Sequence, residues 1–278
     1  MKPSAEAIRS QVQAALDEDI GLEDVSAALI DSDTVADARL VCRENGILAG
    51  RDWAETAFLL LDPDCRMEWS ANDGDELTAG QMLCRLRGRA SALLSAERTA
   101  LNFLQLMSGV ATRTRAHTDV LAGTSAKLLD TRKTIPGLRH AQKYAVTCGG
   151  GQNHRFGLHD MVMLKENHIA AAGSIAKAVK LARKQYPALS VEVEVEDLDQ
   201  LDQAIAAGAD RVMLDNFDLK QMHEAVRITA GRVVLEASGG LGLDGLRAVA
   251  ETGVDEISVG GLTKAITPLD LSLLFDPI

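Results

Sequence analysis

The sequence predicts an α/β protein with a parallel sheet, and three observations carry that prediction. Six apolar runs of strand length recur in the second half, at Lys127–Thr131, Met161–Leu164, Ser190–Val195, Arg211–Leu214, Val233–Ala237 and Glu256–Val259. Single segments of helical period separate most of them. The stripes are Ile175, Val179, Ala182 and Tyr186; Leu198, Leu201 and Ile205; Leu219, Met222 and Val226; and Leu243, Leu246 and Val249. Strands alternating with single helices are βα units, and βα units make parallel sheets. Six such strands, or seven, suit a doubly wound sheet or a barrel. The third observation favours the barrel. In Val191-Glu-Val-Glu-Val-Glu196 the valines share one face and the glutamates the other. A central strand of a doubly wound sheet meets helices on both faces and should be apolar on both. In a barrel the valines can face the helices and the glutamates the interior, where they need Lys, Arg or a metal as partners. The competing arrangement is an edge strand with its glutamates in water.

The first third reads differently, as an α+β segment. Ile8, Val12, Ala15 and Leu16 predict an opening helix, and Arg39–Arg43 alternates like a strand. Asn45-Gly46 is a hairpin-turn signal. Trp53–Leu61 reads as a helix, with strands at Arg66–Ser70 and Gln81–Leu86 around the Asn72-Asp-Gly-Asp75 turn. A long helical pattern from Ala92 to about Val120 joins the two regions.

Composition narrows the function. The chain has 278 residues, 46% hydrophobic and 25% charged, which suits a globular enzyme. A net charge of −11 and only 3% aromatic residues argue against a nucleic-acid partner. The charge is uneven: residues 1–90 carry −9, 91–168 carry +5 and 169–278 carry −7. Five of the six histidines (His117, His140, His154, His159 and His168) also sit in the basic middle, which suggests a local anionic ligand. The longest run without Asp, Glu, Lys or Arg, Thr99–Thr112, is too short to span a membrane. Cys42, Cys65, Cys84 and Cys148 show no metal-binding spacing and read as free thiols of a cytoplasmic protein.

Function in a βα barrel gathers at the C-terminal ends of the strands. Those positions here hold Asp130, Thr131, Arg132 and Lys133, then Lys165, Glu194, Asp215 with Asn216, Glu236 with Ser238-Gly239-Gly240, and Gly260-Gly261. The long connection after the first strand adds Arg139, Lys143, Gly149-Gly-Gly151, Asn153, His154 and Arg155. Arg forks match carboxylate and phosphate oxygens in pairs. The glycine loops let backbone N–H groups approach an anion where a helix begins. Glu194 and Asp215, on neighbouring strands, suit Mg²⁺. Together these residues suit a phosphorylated sugar, carrying diphosphate, and an anionic co-substrate. Two other readings stay open on the residues alone. Gly240-Leu-Gly-Leu-Asp-Gly245 also matches a dinucleotide fingerprint, and Lys165 at a strand end also suits a Schiff-base nucleophile of an aldolase. His159 and His168 read as capping or packing residues, and His117 and His223 as solvent-facing.

The motifs resemble a known family. Asp130-Thr-Arg-Lys-Thr-Ile-Pro-Gly-Leu-Arg139, Gly149-Gly-Gly-Gln-Asn-His-Arg155, Met163-Leu-Lys-Glu-Asn-His168, Glu192-Val-Glu194, Met213-Leu-Asp-Asn-Phe217, Leu235-Glu-Ala-Ser-Gly-Gly240 and Ile257-Ser-Val-Gly260 resemble quinolinate phosphoribosyltransferases. Glu97–Gln105 and Glu18–Asp24 also match, so the resemblance spans nearly the whole chain. It implies an N-terminal α/β open sandwich (residues 1–112) and an incomplete, TIM-like α/β barrel (113–267), with the tail 268–278 packing on the first. It also implies a homodimer whose sandwich covers the partner's barrel mouth, and transfer of phosphoribosyl from phosphoribosyl pyrophosphate to quinolinate with loss of CO₂, using Mg²⁺. By that resemblance Arg132, His154, Arg155 and Lys165 would line the quinolinate site, joined by Arg98 from the partner subunit. Lys133 would reach the ribosyl pyrophosphate, and Glu194 and Asp215 would face the ribose and Mg²⁺. Ser238, Gly239, Gly240, Gly260 and Gly261 would hold the 5′-phosphate. Relatives often carry His in the next loop, where this chain has Lys264. A related barrel transferase acting on another ring base is the nearest alternative.

Overall fold

The computed structural model describes residues 2–276. They form two compact units: one holds the residues up to Arg115, Thr134–Gly150 and those from Thr263 onward; the other holds Ala116–Lys133 and Gly151–Leu262. Residues 277 and 278 of the expected C-terminal tail lie outside the described residues.

The first unit opens with α1 (Ala5–Ile20), whose buried stripe is Ile8, Val12 and Leu16. The Ser4 side chain accepts the Ala7 N–H and starts the helix. There follow β1 (Val35–Cys42), β2 (Gly46–Ile47), α2 (Arg51–Leu61), β3 (Arg66–Trp69), β4 (Glu76–Leu77), β5 (Met82–Arg89) and the long α3 (Ala90–Val120). β1 pairs antiparallel with β5 on one side and with the C-terminal strand Leu271–Phe275 on the other, and β3 pairs with β5. Along β1, Ala36, Ala38, Leu40 and Cys42 are buried while Val35, Asp37 and Arg39 are exposed. Alternation of this kind leaves one face of the sheet to solvent, as in an open sandwich. On the covered face, a Cβ at Gly88 of β5 would come within 2.9 Å of Asp62 Oδ2, at the end of α2.

Asn45-Gly46 does not make the expected hairpin. Gly46 and Ile47 pair with Leu77 and Glu76 of β4, and Asn45 Oδ1 accepts the Ala79 N–H. The glycine serves a close approach instead, since a Cβ there would meet Leu269 at 2.5 Å and Thr112 at 2.8 Å. His117 is also not solvent-facing. It is 4% exposed. Val110, Ala111, Thr114 and His117 form one buried stripe of α3 at helical spacing, and Leu121, just past the helix, continues it.

Past α3 come β6 (Lys127–Leu129), α4 (Arg139–Cys148), β7 (Val162–Leu164), α5 (Glu166–Ala172), α6 (Ile175–Gln185), β8 (Val191–Val195), α7 (Leu198–Ala206), β9 (Arg211–Asp215), α8 (Leu219–Thr229), β10 (Val234–Ser238), α9 (Leu243–Glu251), β11 (Glu256–Ser258) and the short α10 (Gly261–Lys264). The expected run of six strands is present, and α4 groups with the first unit. The six strands are parallel, in the order β6-β11-β10-β9-β8-β7. Consecutive strands from β7 to β11 are neighbours, and the last then pairs with the first. This order suits a sheet that curls on itself. It stays open between β6 and β7, where Leu129 makes a single parallel bridge to Gln152. The result is an incomplete barrel of six strands.

β8 is an inner strand with β7 and β9 on its flanks, which excludes the edge-strand arrangement. Val191, Val193 and Val195 are fully buried. Glu192 pairs in register with Arg211, and Glu194 with Met213. Glu192 is fully buried, Glu194 half-buried, and Glu196 falls beyond the strand and is exposed. Of the predicted helical stripes, the middle members are buried (Val179, Leu201, Met222, Leu246) but Leu219, Leu243 and Tyr186 are exposed. These three sit at helix ends, past the contact with the sheet.

Candidate active site

The barrel interior holds a buried ionic cluster. Arg211 on β9 lies 3.4 Å from Glu192 Oε1 on β8 and 3.1 Å from Glu236 Oε2 on β10, and contacts Glu256 on β11. Glu192 and Glu236 are fully buried. His154, in the connection before β7, places Nε2 3.1 Å from Glu192 Oε2 and 3.0 Å from Glu236 Oε2. Burial alone would lower the imidazole, but its contacts with the two carboxylates outweigh burial and raise it. Burial raises Glu192, and the beside-lying His154 holds Glu236 below the ordinary carboxylate range against its own burial. His154, Glu192 and Glu236 also offer ligand atoms within 4.8 Å of one another. Arg211 pairs with these carboxylates and with Glu256, and His154 turns its Nε2 edge to the first two, so the cluster is an ion-pair network.

The Asp130 carboxylate, buried at the end of β6, ties down the neighbouring backbone. It accepts the His154 N–H at 2.9 Å and the Asn153 side-chain amide at 2.6 Å. Arg155 follows, and its backbone N–H donates to His154 Nδ1 at 2.6 Å. The Arg155 guanidinium is held below its ordinary value, first by burial and then by the Arg132 charge beside it. Arg132 is half-buried as well, so two guanidiniums lie close enough to repel one another. Lys165, ending β7, is paired with Glu194 of β8. The Lys165 N–H is capped by His168 Nδ1 at 3.0 Å, as the capping role of His168 required.

The glycine loops follow β10 and β11. Gly239 has φ +114°, and a Cβ on it would fall 2.2 Å from Asn216 Oδ1. Only glycine meets both demands. Asn216 itself is left-handed (φ +58°) and donates its backbone N–H to Ser238 O at 3.0 Å, joining the ends of β9 and β10. Its side chain reaches Asp215 Oδ2 at 3.0 Å. A Cβ at Gly260 would meet Lys133 Cδ at 2.9 Å, so the Lys133 stem lies along the loop after β11. The dinucleotide reading fails on packing. Its third glycine should allow a close helix–strand approach, yet Gly245 has open space around its Cβ position.

Arg132, Lys133, His154, Arg155, Lys165, Glu194, Asp215, Ser238, Gly239, Gly240 and Gly260 therefore all belong to the second unit. Arg98 belongs to the first, exposed on α3, and Lys264 is exposed at the end of α10. Arg211 and Glu256 were not legible as site residues. Their signal was their register: both are charged residues opening barrel strands on the inward face.

The family model of the quinolinate phosphoribosyl transferase C-terminal domain matches residues 110–274, and that of the N-terminal domain matches residues 24–108. The chain belongs to the quinolinate phosphoribosyltransferase family. It is 44% identical to a nicotinate-nucleotide pyrophosphorylase [carboxylating] of Mycobacterium leprae, over 96% of this chain and 97% of that protein. It is also 44% identical to a probable nicotinate-nucleotide pyrophosphorylase [carboxylating] of Bacillus subtilis, over 92% of this chain and 89% of the relative. Among solved structures, the nicotinate-nucleotide pyrophosphorylase from Francisella tularensis superposes with a TM-score of 0.96 at 46% identity, covering 99% of this chain and 98% of that one. Membership of this family speaks against the aldolase reading of Lys165, which is paired with Glu194.

Proposed function

We propose that the cationic mouth of the barrel binds quinolinate and phosphoribosyl pyrophosphate and performs the decarboxylating transfer of the family. The observation that carries this reading is the half-buried Arg155 guanidinium beside the Arg132 charge in a chain of this family, supported by Lys165 paired with Glu194 and by the glycine loops after β10 and β11. The enzyme is a quinolinate phosphoribosyltransferase of pyridine nucleotide biosynthesis. Its acceptor carries two carboxylates, and Arg132, Arg155 and Lys165 hold them, so that the ring nitrogen faces C1 of the ribose. The Gly239-Gly240 and Gly260-Gly261 loops, with Ser238, take the 5′-phosphate, and Lys133, lying along Gly260, reaches the pyrophosphate. The ring nitrogen attacks C1 as the C1–O bond to pyrophosphate breaks. The C2 carboxylate then leaves as CO₂. Its bonding electrons stay on C2, stabilised by the adjacent pyridinium, and a proton replaces it to give nicotinate mononucleotide. Positioning and electrostatics supply most of the catalysis.

Glu194 and Asp215 offer oxygen-only donors at the mouth, the donor type Mg²⁺ takes from a protein alongside substrate phosphates. When bound, Mg²⁺ would neutralise charge on the pyrophosphate. The two carboxylates themselves favour positive charge developing at C1. Lys264 adds a cation where relatives often carry His.

The enzyme works as a homodimer in this proposal, with Arg98 completing the partner's quinolinate pocket. Its support is an exposed Arg98 on a unit that also exposes Leu22, Val25, Leu29 and Leu94. Mixing inactive Arg98→Ala and Lys133→Ala proteins should restore activity as subunits exchange; none despite proven exchange refutes the shared site. A cytoplasmic setting is consistent with four free cysteines. Among the described residues no helix is long and apolar enough to cross a membrane. Purified protein given phosphoribosyl pyrophosphate and Mg²⁺ should consume quinolinate and spare nicotinate. The reverse preference would assign the site to another ring base.

A further inference from the structure

The two acids at the barrel mouth are held in different ways. Glu194, on β8, is paired with the cation of Lys165. Asp215, the half-buried last residue of β9, takes a neutral donor instead. Its one hydrogen bond among the contacts described comes from the Asn216 side-chain amide, Nδ2 to Oδ2 at 3.0 Å. A cation on a carboxylate offsets its charge, whereas an amide N–H orients the group and leaves the charge available to a reacting centre. Asn216 is itself fixed. It is left-handed, with φ +58°, and its backbone N–H donates to Ser238 O at 3.0 Å. Its side chain lies against the loop after β10: a Cβ on Gly239 would fall 2.2 Å from Asn216 Oδ1 and 2.8 Å from Cγ. The bare Gly239 backbone seats the carbonyl side of the amide, and the N–H side is turned to Asp215. A hydrogen bond between two exposed neighbours contributes little where water competes freely for both groups. This one is held in place by the loop.

We propose that Asn216 is a positioning residue: seated on Gly239, its side-chain amide sets the Asp215 carboxylate toward the phosphoribosyl group without neutralising it. This rests on the reading of Asp215 as the acid that faces the ribose and of the loop from Ser238 to Gly240 as the phosphate cradle. It gives Gly239 a second task, since the missing Cβ leaves room for Asn216 as well as for a phosphate. Changes at Asn216 should then act on the transfer and not on acceptor affinity, because the acceptor's cations follow β6, precede β7 or end it.

Asn216→Gly tests this, because glycine is at ease at φ +58° and only the side chain is lost. It should lower kcat about thirtyfold, within the loss of about a hundredfold expected for a group misplaced by 1 Å. The KM for quinolinate should stay within about twofold and Tm within about 3 °C. In an Asp215→Asn background the same change should cost less than about twofold, because residues acting through one another are non-additive. A wild-type kcat in Asn216→Gly overturns the proposal and leaves the residue a backbone role. Losses that multiply across the two backgrounds overturn it too, and make Asn216 a direct contact of the substrate. So does an equal rise in both KM values, the mark of general loosening. Asn216→Asp keeps the shape but loses the donor, so it should lower kcat at least as far; wild-type turnover there refutes the part given to the amide. Crystal structures of wild type and Asn216→Gly without substrate give a readout that needs no turnover. The Asp215 carboxylate should be rotated in the variant, and an unmoved carboxylate refutes the link. A wild-type protein that fails to use quinolinate and phosphoribosyl pyrophosphate would count against the proposed reaction, while the Asp215 orientation still decides the role of Asn216.

Discussion

Replacing Arg211 by Met removes the guanidinium from the barrel interior and keeps most of its volume. Glu192 and Glu236, both fully buried, and Glu256, with an 11% exposed side chain, would then face each other with no guanidinium, and only the His154 ring edge beside the first two, among the contacts described. Burial and mutual repulsion would drive at least one carboxylate to take up a proton in the folded state. Protonating a glutamate of ordinary pKa about 4.3 costs about 4 kcal/mol at pH 7.5 and about 1.5 kcal/mol at pH 5.5. The first figure lies inside the range of about 3–5 kcal/mol for breaking a buried ion pair. The sign follows from a raised carboxylate in the folded variant: its penalty is absent below the unfolded pKa and grows as pH rises above it. At about 2–4 °C per kcal/mol for a chain of this size, Tm should fall by about 10 °C at pH 7.5 and by about 5 °C at pH 5.5. Differential scanning calorimetry of wild type and Arg211→Met at both pH values reads this directly. A fall below about 2 °C at pH 7.5, or equal falls at both, would refute the idea that Arg211 neutralises these carboxylates.

Two further outcomes are expected. Gly239→Ala must relieve φ +114° and a Cβ 2.2 Å from Asn216 Oδ1, so it should cost at least about 2 kcal/mol in denaturant melts and raise the KM for phosphoribosyl pyrophosphate more than that for quinolinate. Asp62 opposes its burial by accepting the N–H groups of Arg89 at 2.8 Å and Asp64 at 3.3 Å, which hold it below the ordinary carboxylate value. Its stabilisation is present above that value and lost as pH falls through the folded one, so Asp62→Asn should cost about 1.5–3 kcal/mol at pH 7 and measurably less at pH 3, checked by urea melts at the two pH values.

The barrel was legible because its signals are local and periodic. Runs such as Arg211–Leu214 and the valine–glutamate alternation of β8 name strands and faces without tertiary help. The residues at the strand ends could be read for the same reason, since alternation places Lys165, Glu194 and Asp215 at one rim. What escaped depends on contacts between distant segments. Gly46 looks like a turn glycine, but its partners are β4 and the Leu269 side chain, far along the chain. His117 looks like a surface histidine until the stripe it shares with Thr114 and Leu121 is known to be covered. Arg211 and Glu256 are ordinary charged residues in the sequence. Only the register of four strands brings them to one point. The placement of His154 beside Glu192 and Glu236 required the same knowledge.

The central claim is a transfer that releases one particular carboxylate from an acceptor held by Arg132, Arg155 and Lys165. Quinolinate labelled with ¹⁴C at the C2 carboxylate, incubated with the purified enzyme, phosphoribosyl pyrophosphate and Mg²⁺, should release labelled CO₂ in equal amount to pyrophosphate and nicotinate mononucleotide. Label at the C3 carboxylate should stay in the nucleotide. No release from well-folded enzyme, or release of the C3 label, would contradict the account.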